Sequence, residues 1–402
     1  MRVVIAGGGT AGHVYPGLAV GEELRRAGHD VRFAGTETGV EARLVPAAGF
    51  PFDVLRARPL VRKAWVRALT VPATELADVR ACRPLVRGAD VVLGMGGYVS
   101  VPAVLAARRA RIPIVVHEQN AVPGLANRTL ARVRVPRAVA LSFADARSGF
   151  PRGTRTIVTG NPVRPEIARV PEDRSRLAKE GRAELELEDD RRTILVFGGS
   201  QGALHIDRAA IGACRLLGDR SDLQVVVITG PAHLELVRRA LPSTDRPPRA
   251  DPGVGEEEVP PRGRSGDVLA VGHGGDRVIV RLAGYLERME LAYACADLVV
   301  SRAGATTVAE IAVCGLPALL VPYPFATARH QEANARALQR AGAASVMADD
   351  QLSAHSLADR IVALVDHHER LEAMRAQALA FGRPDAAAAL ADVAASAGGR
   401  SR

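Results

Sequence analysis

Three glycine-rich loops and two polar clusters are where this sequence can do chemistry. The first loop, GGGTAGHVYPG, runs from Gly7 to Gly17. Glycines let backbone amides approach an anion, and a helix starting just after them adds positive dipole character. Gly7, Gly9 and Gly12 carry the G-x-G-x-x-G spacing of dinucleotide sites. The acidic residue that should close the second strand is not in place, because VRFAGTE ends on Gly35 and Thr36 with Glu37 late. The loop therefore reads as a phosphate seat, with weak support for a nicotinamide. His13 falls in the first turn of the ensuing helix, where the dipole disfavours an imidazolium and leaves a neutral ring suited to a base.

The second loop lies in GMGGYVSVPAVLAA (94–107) and offers another backbone approach to an anion. The third, GGSQGA (198–203), adds Ser200 and Gln201 as side-chain donors to phosphate oxygens. It lacks the G-K-[ST] ending, so metal-assisted triphosphate chemistry is not expected. The first polar cluster closes an apolar strand with His117, Glu118, Gln119 and Asn120. Its spacing is not H-E-x-x-H, so zinc is not expected either. Further on, SRAGATTVAEI (301–311) places open amides at Ala305, Thr306 and Thr307 where a helix begins, a seat for a diphosphate. Glu310, one turn later, can accept two hydroxyls, as a ribose diol requires. RHQEANA (329–335) then supplies His330, Gln331 and Asn334, the second cluster, suited to a sugar.

The elements that must position these groups alternate along the chain. Apolar strands read as RVVIAG, DVRFAG, DVVLGMG, IPIVVHEQ and TIVTG, then as TILVFGGS, LQVVVITG, RVIVRLAG, ADLVVSRAG and PALLVPY. Helical patterns lie between them, at 17–27, 101–110, 203–217, 306–314 and 331–341 among others. Short all-apolar strands alternating with helices predict parallel sheets covered on both faces, with ligands at the carboxyl edge of the strands. The alternation pauses at 159–192, a charged, proline-containing stretch read as a linker and the start of a second unit. That unit repeats the opening of the first, a strand followed by a glycine loop and a helix. The expected fold is α/β, with two facing Rossmann-like domains and a cleft between them. Residues 242–276, rich in proline, glycine and charge, read as a surface insertion.

With 402 residues the chain is long enough for two cores. Its formal charge is +9, and apart from Lys63 and Lys179 the basic residues are arginines. Such a balance points to an anionic partner. Aromatics at 3% are too few for base-stacking platforms, so nucleic acid is not the expected one. The four cysteines have neither metal nor redox spacing and read as reduced packing residues. MRVVIAGGG enters a strand at once, without the pattern of a secretory leader, and cysteines so used are those expected of a cytoplasmic protein.

Taken in order, GGGTAGHVYPGLAV, GMGGYVSVP, HEQNAVPGLANR, TGNPVR, GGSQGA, SRAGATTVAEI and HQEANA make the chain resemble the MurG family over nearly its whole length. The resemblance implies a two-domain GT-B glycosyltransferase that inverts at the anomeric carbon and needs no metal or cofactor. It implies transfer of N-acetylglucosamine from UDP-N-acetylglucosamine to undecaprenyl-pyrophosphoryl-N-acetylmuramoyl-pentapeptide, at the cytoplasmic face of the plasma membrane. By motif, the sugar nucleotide would be met by Thr10, Ala11 and Gly12, by Asn120 and Arg164, and by Ser200. Leu286 would offer backbone to uracil; Ala305, Thr306 and Thr307 would hold the diphosphate, Glu310 the ribose and Gln331 the sugar. The family's N-terminal glycine loops are expected to face the acceptor's pyrophosphate. His13 is the expected base, with Glu118 or Asn120 as alternatives or orienters.

An acceptor-side domain is expected over 1–163, joined by a C-terminal helix at 380–396, and a UDP-sugar domain over 164–379. The insertion at 242–276 is longer than the family's usual connection there. Contact with an anionic membrane surface is expected from LRARPLVRKAWVRALTVP (55–72), where Leu60 and Trp65 mix with Arg62, Lys63 and Arg67. Other expectations kept open are a glycolipid synthase, a UDP-sugar 2-epimerase and a non-enzymatic scaffold.

Overall fold

Runs of buried aliphatic residues build two seven-stranded sheets in this computed structural model, which describes residues 1–55, 71–199, 202–239, 269–270 and 277–399. Leu60, Arg62, Lys63, Trp65, Arg67 and Ser200 lie outside the described residues, as does the 242–276 insertion apart from Leu269 and Ala270. The first sheet comprises β1 (Arg2–Ala6), β2 (Asp30–Thr36), β3 (Phe52–Leu55), β4 (Val91–Gly94), β5 (Ile114–Glu118), β6 (Ala138–Leu141) and β7 (Thr156–Val158). Its order is β3-β2-β1-β4-β5-β6-β7, parallel throughout. The second comprises β8 (Arg192–Phe197), β9 (Leu223–Ile228), β10 (Leu269–Ala270), β11 (Ile279–Ala283), β12 (Leu298–Ser301), β13 (Ala318–Leu320) and β14 (Ala344–Val346). Its order is β10-β11-β9-β8-β12-β13-β14, with only the edge pair β10–β11 antiparallel.

β4, β5, β8 and β9 are almost or wholly buried along their length, as strands covered by helices on both faces must be. Register fixes the site edge. Ala6 pairs with Ala34 and with Gly94, so the loops leaving β1, β2 and β4 emerge side by side. In the second sheet Ser301 pairs with Phe197 and Leu320, which aligns the loops after β8, β12 and β13.

Four strands were not separated out in the sequence. β3 and β14 are short and half-exposed, β10 has two residues, and β6 is a four-residue AVAL without flanking turn signals. The 159–192 stretch, poorly periodic in the sequence, is mostly helix, at Pro165–Ala168 and Val170–Glu184. Its charges hide a narrow buried stripe of Val170, Leu177, Ala178 and Gly181 at helical spacing. That stripe packs on the helix Met289–Cys295. The backbones approach so closely that a Cβ on Gly181 would lie 2.8 Å from the Leu291 carbonyl oxygen.

The chain crosses between the sheets twice. The first crossing runs from β7 through Gly160 into the helix at Pro165. The second follows the helix His368–Phe381, and the final helix, Ala386–Gly399, returns to pack on β4, β5, β6 and the first helix. Gly382 and Pro384 separate these two helices, so the last one begins later than the expected 380. The crossings touch. Gly160 has φ +84°, and a Cβ there would sit 2.6 Å from that of Arg383.

Candidate active site

The helix Ala11–Arg26 extends the pattern read over 17–27 back to the glycine loop, and brings Thr10 to its N-cap. Thr10 is extended there and its side chain caps nothing, so the amides of Ala11 and Gly12 stand open at the carboxyl edge of the first sheet. His13 follows in the first turn. Its ring lies against the second glycine loop, where a Cβ on Gly97 would come within 3.4 Å of Nε2. Gly96 and Gly97, both at positive φ, thus make room for a histidine as well as a turn. Burial holds the His13 conjugate acid below its ordinary range; the nearby Met95 carbonyl, Gln119 side chain and Glu41 charge oppose this to a smaller degree. The ring is therefore neutral near pH 7, with Nδ1 buried and lacking a well-formed hydrogen bond.

Glu118 spends both oxygens on its own loop. Oε1 accepts from the Asn120 amide at 3.1 Å, and Oε2 from the Gly124 amide at 3.0 Å and Asn127 Nδ2 at 2.9 Å. This shapes the turn that presents Asn120. His117 is fully buried with Nε2 against the Gly160 carbonyl and the Ser142 hydroxyl, and burial pushes it down to about 4.

On the second sheet, β12 leads through Gly304 into the helix Ala305–Val313, again with no side-chain cap. The amides of Ala305, Thr306 and Thr307 open its first turn. Glu310 accepts from Tyr293 Oη at 2.9 Å on one oxygen and faces Arg164 at 3.8 Å on the other. Burial raises its pKa, against the pull of Arg164 and Tyr293. Arg164 arrives from the first crossing, with its guanidinium 5.0 Å from the Tyr15 ring centre. Gln331 Oε1 accepts from the Ala303 and Tyr323 amides at 3.2 and 2.9 Å, which leaves its amide nitrogen free to donate. Leu286 is core through its side chain, between β11 and the helix Met289–Cys295.

The two open helix N-termini meet. Thr306 Oγ1 donates to the Gly12 carbonyl at 3.3 Å. Asn334 ties the same seam, with Oδ1 accepting from the Ala121 amide at 2.8 Å and Nδ2 reaching Asn120 Oδ1 and the Ala303 carbonyl at 3.1 Å each. The sequence offered Asn334 for a sugar but gave no sign that it would meet Asn120. Gln119 Nε2 and both amide atoms of Asn161 are buried without a well-formed hydrogen bond, and the GNP run is the local sign of Asn161 in the sequence. Among the described residues no group of acidic, histidine and cysteine side chains is arranged to hold a metal.

Two largely parallel α/β sheets with facing, uncapped helix N-termini make up the architecture of the GT-B glycosyltransferases. The model of the glycosyltransferase family 28 N-terminal domain matches residues 3–137, and that of the C-terminal domain matches 193–252 and 257–390. The chain is 39% identical to the UDP-N-acetylglucosamine–N-acetylmuramyl-(pentapeptide) pyrophosphoryl-undecaprenol N-acetylglucosamine transferase of Halothermothrix orenii, covering 96% of this chain and 95% of that one. It is 40% identical to the protein of the same name from Mycolicibacterium smegmatis, covering 98% and 93%. The crystal structure of Acinetobacter baumannii MurG superposes with a TM-score of 0.73 at 28% identity, over 98% of this chain and 99% of that one. A UDP-GlcNAc 2-epimerase from Neisseria meningitidis, at 14% identity and a TM-score of 0.63, shares the fold alone. The chain belongs to glycosyltransferase family 28 and, within it, to the MurG family of transferases.

Proposed function

We infer that this protein moves N-acetylglucosamine from UDP-N-acetylglucosamine to undecaprenyl-pyrophosphoryl-N-acetylmuramoyl-pentapeptide, with inversion, in peptidoglycan synthesis. The observation that carries the mechanism is the approach of two uncapped helix N-termini across one seam, with His13 in the first turn of one of them. Each is a seat for a diphosphate, one for the acceptor and one for the donor.

In this reading the acceptor hydroxyl attacks the anomeric carbon from the face opposite the UDP oxygen. As the new C–O bond forms, its proton passes to His13 and the bond to UDP breaks. The charge left on UDP falls on the amides of Ala305, Thr306 and Thr307 and on Arg164; one such donor is commonly worth about a hundredfold or more in rate. Glu310 takes the ribose hydroxyls, Leu286 the uracil through its backbone, and Gln331 and Asn120 the sugar, with Ser200 assisting. Thr10, Ala11 and Gly12 form the facing wall, and Glu118 orients the loop of Asn120. Residues 1–163 with the final helix serve the acceptor, and 164–379 serve the donor.

The acceptor's lipid calls for an anionic membrane surface, met from the cytoplasmic side. On the opposite edge of the sheet from the site, a groove at the amino ends of β5 and β6 offers a further contact for such a surface. Arg108, Arg111, Arg134 and Arg137 line it, and the neighbouring Val133 is 60% exposed. Among the described residues no helix is long and apolar enough to cross a membrane. The test is transfer of labelled N-acetylglucosamine from its UDP ester to a short-chain lipid acceptor. Label found only in a free epimer would overturn the reading.

A further inference from the structure

Glu41 has no part in the reaction as derived so far, yet it is the most tightly held carboxylate beside the first glycine loop. It opens the helix Glu41–Ala47 and is 1% exposed. Its Oε2 accepts from the Gly9 amide at 2.9 Å. Its Oε1 accepts from the Thr36 amide at 2.9 Å and the Thr36 hydroxyl at 2.6 Å. One side chain thus ties the loop after β1 to the end of β2. The space is reserved for it by three separate segments. A Cβ on Gly8 would fall 2.1 Å from Oε1, one on Gly39 2.2 Å from Oε2, and one on Gly35 2.5 Å from Cγ.

No described cation forms an ion pair with Glu41; neutral donors alone surround it, as they would surround a bound anion. In dinucleotide sites such loop amides, with an acidic group near the end of the second strand, receive the ligand. Here the protein's own carboxylate occupies that place. An incoming diphosphate is left with the amides of Ala11 and Gly12, next to His13.

We propose that Glu41 is a positioning residue for the transfer reaction: it fills the anion seat beneath the first glycine loop and so sets His13 and the open amides of Ala11 and Gly12 against the acceptor. The proposal rests on the transferase reading above. The negative charge also favours His13 at the moment it takes a proton, a direction in which Glu41 already acts on that ring.

The test is Glu41→Gln, which keeps the volume but turns an NH2 toward a donor, alongside Thr36→Val, which removes only the hydroxyl donor. Steady-state kinetics are run with each substrate varied, with a pH–rate profile for each protein. In Glu41→Gln, kcat/KM for the lipid acceptor should fall about tenfold or more, KM for UDP-N-acetylglucosamine should stay within about twofold, and the acid limb should move to lower pH. Thr36→Val should show the same acceptor-selective loss at smaller size, and decides the matter should Glu41→Gln not fold. A loss shared equally by both substrates, no loss, or an unmoved acid limb overturns the proposal. Wild-type protein that transfers no label overturns the functional reading as well, whereas wild-type transfer with unaltered variants overturns this proposal alone.

Discussion

Asp207 offers a stability measurement whose sign follows from the structure. It lies in the first turn of the helix Leu204–Leu216, fully buried, and neither carboxylate oxygen makes a well-formed hydrogen bond. His233 Nδ1 lies 3.4 Å away, and only the more distant charge of Arg302 and the Ala203 amide oppose the effect of burial. Burial pushes Asp207 up to about 7, from an ordinary 3.8. Between those values the folded protein keeps a proton that the unfolded chain has released. Stability therefore falls as pH rises through this window. About three pH units at about 1.4 kcal/mol each put the loss near 4 kcal/mol by pH 8. Asp207→Asn keeps the shape and removes the titration. Urea denaturation at pH 4.5, 6 and 8 should find the variant more stable at pH 8 by about 2–4 kcal/mol, with the gap closing toward pH 4.5. A variant less stable than wild type at pH 8 would refute the reasoning, because the fold would then prefer the carboxylate charged.

Three further expectations follow from the site and the packing. His13→Ala should lower kcat more than tenfold, about 1.4 kcal/mol, and the wild-type pH–rate profile should have its acid limb below the ordinary histidine range, since burial keeps the ring neutral there. A limb at or above that range would remove His13 as the base. Gly181→Ala should cost about 1–3 kcal/mol in a thermal melt, because the new Cβ meets Cys295 Sγ at 2.7 Å as well as the Leu291 carbonyl. Glu at Arg108, Arg111 and Arg134 together should release the protein from anionic vesicles in a sedimentation assay while leaving it bound to none of the neutral ones; undiminished binding would discard the groove.

The two-sheet architecture was legible because buried parallel strands are almost wholly apolar, and the motif loops were legible because glycine and helix starts announce phosphate seats. What the sequence hid were relations between distant segments. Asn334 and Asn120 are 214 positions apart, and no local pattern says that one amide will meet the other. Glu41 is not legible locally, because the dinucleotide pattern places its acidic residue at the end of β2, where Glu37 stands. The working carboxylate lies on the following helix and reaches back to Thr36. The helix Val170–Glu184 was obscured by composition, since charged residues outnumber the four buried positions that hold it to its neighbour. Residues that work locally can be read from their neighbours; those that bridge sheets need the fold.

The two crossings between the sheets meet at Gly160 and Arg383, and this has a mechanical consequence. Two bodies joined by a single tether can swing and twist about it in any direction. A pair of tethers pressed together behaves instead like the spine of a book, near which displacement is small while the far margins travel. The Thr306–Gly12 bridge and the Asn334 bonds to Ala121 and Asn120 are then the clasps between the covers, and the two phosphate seats part only when all of them release.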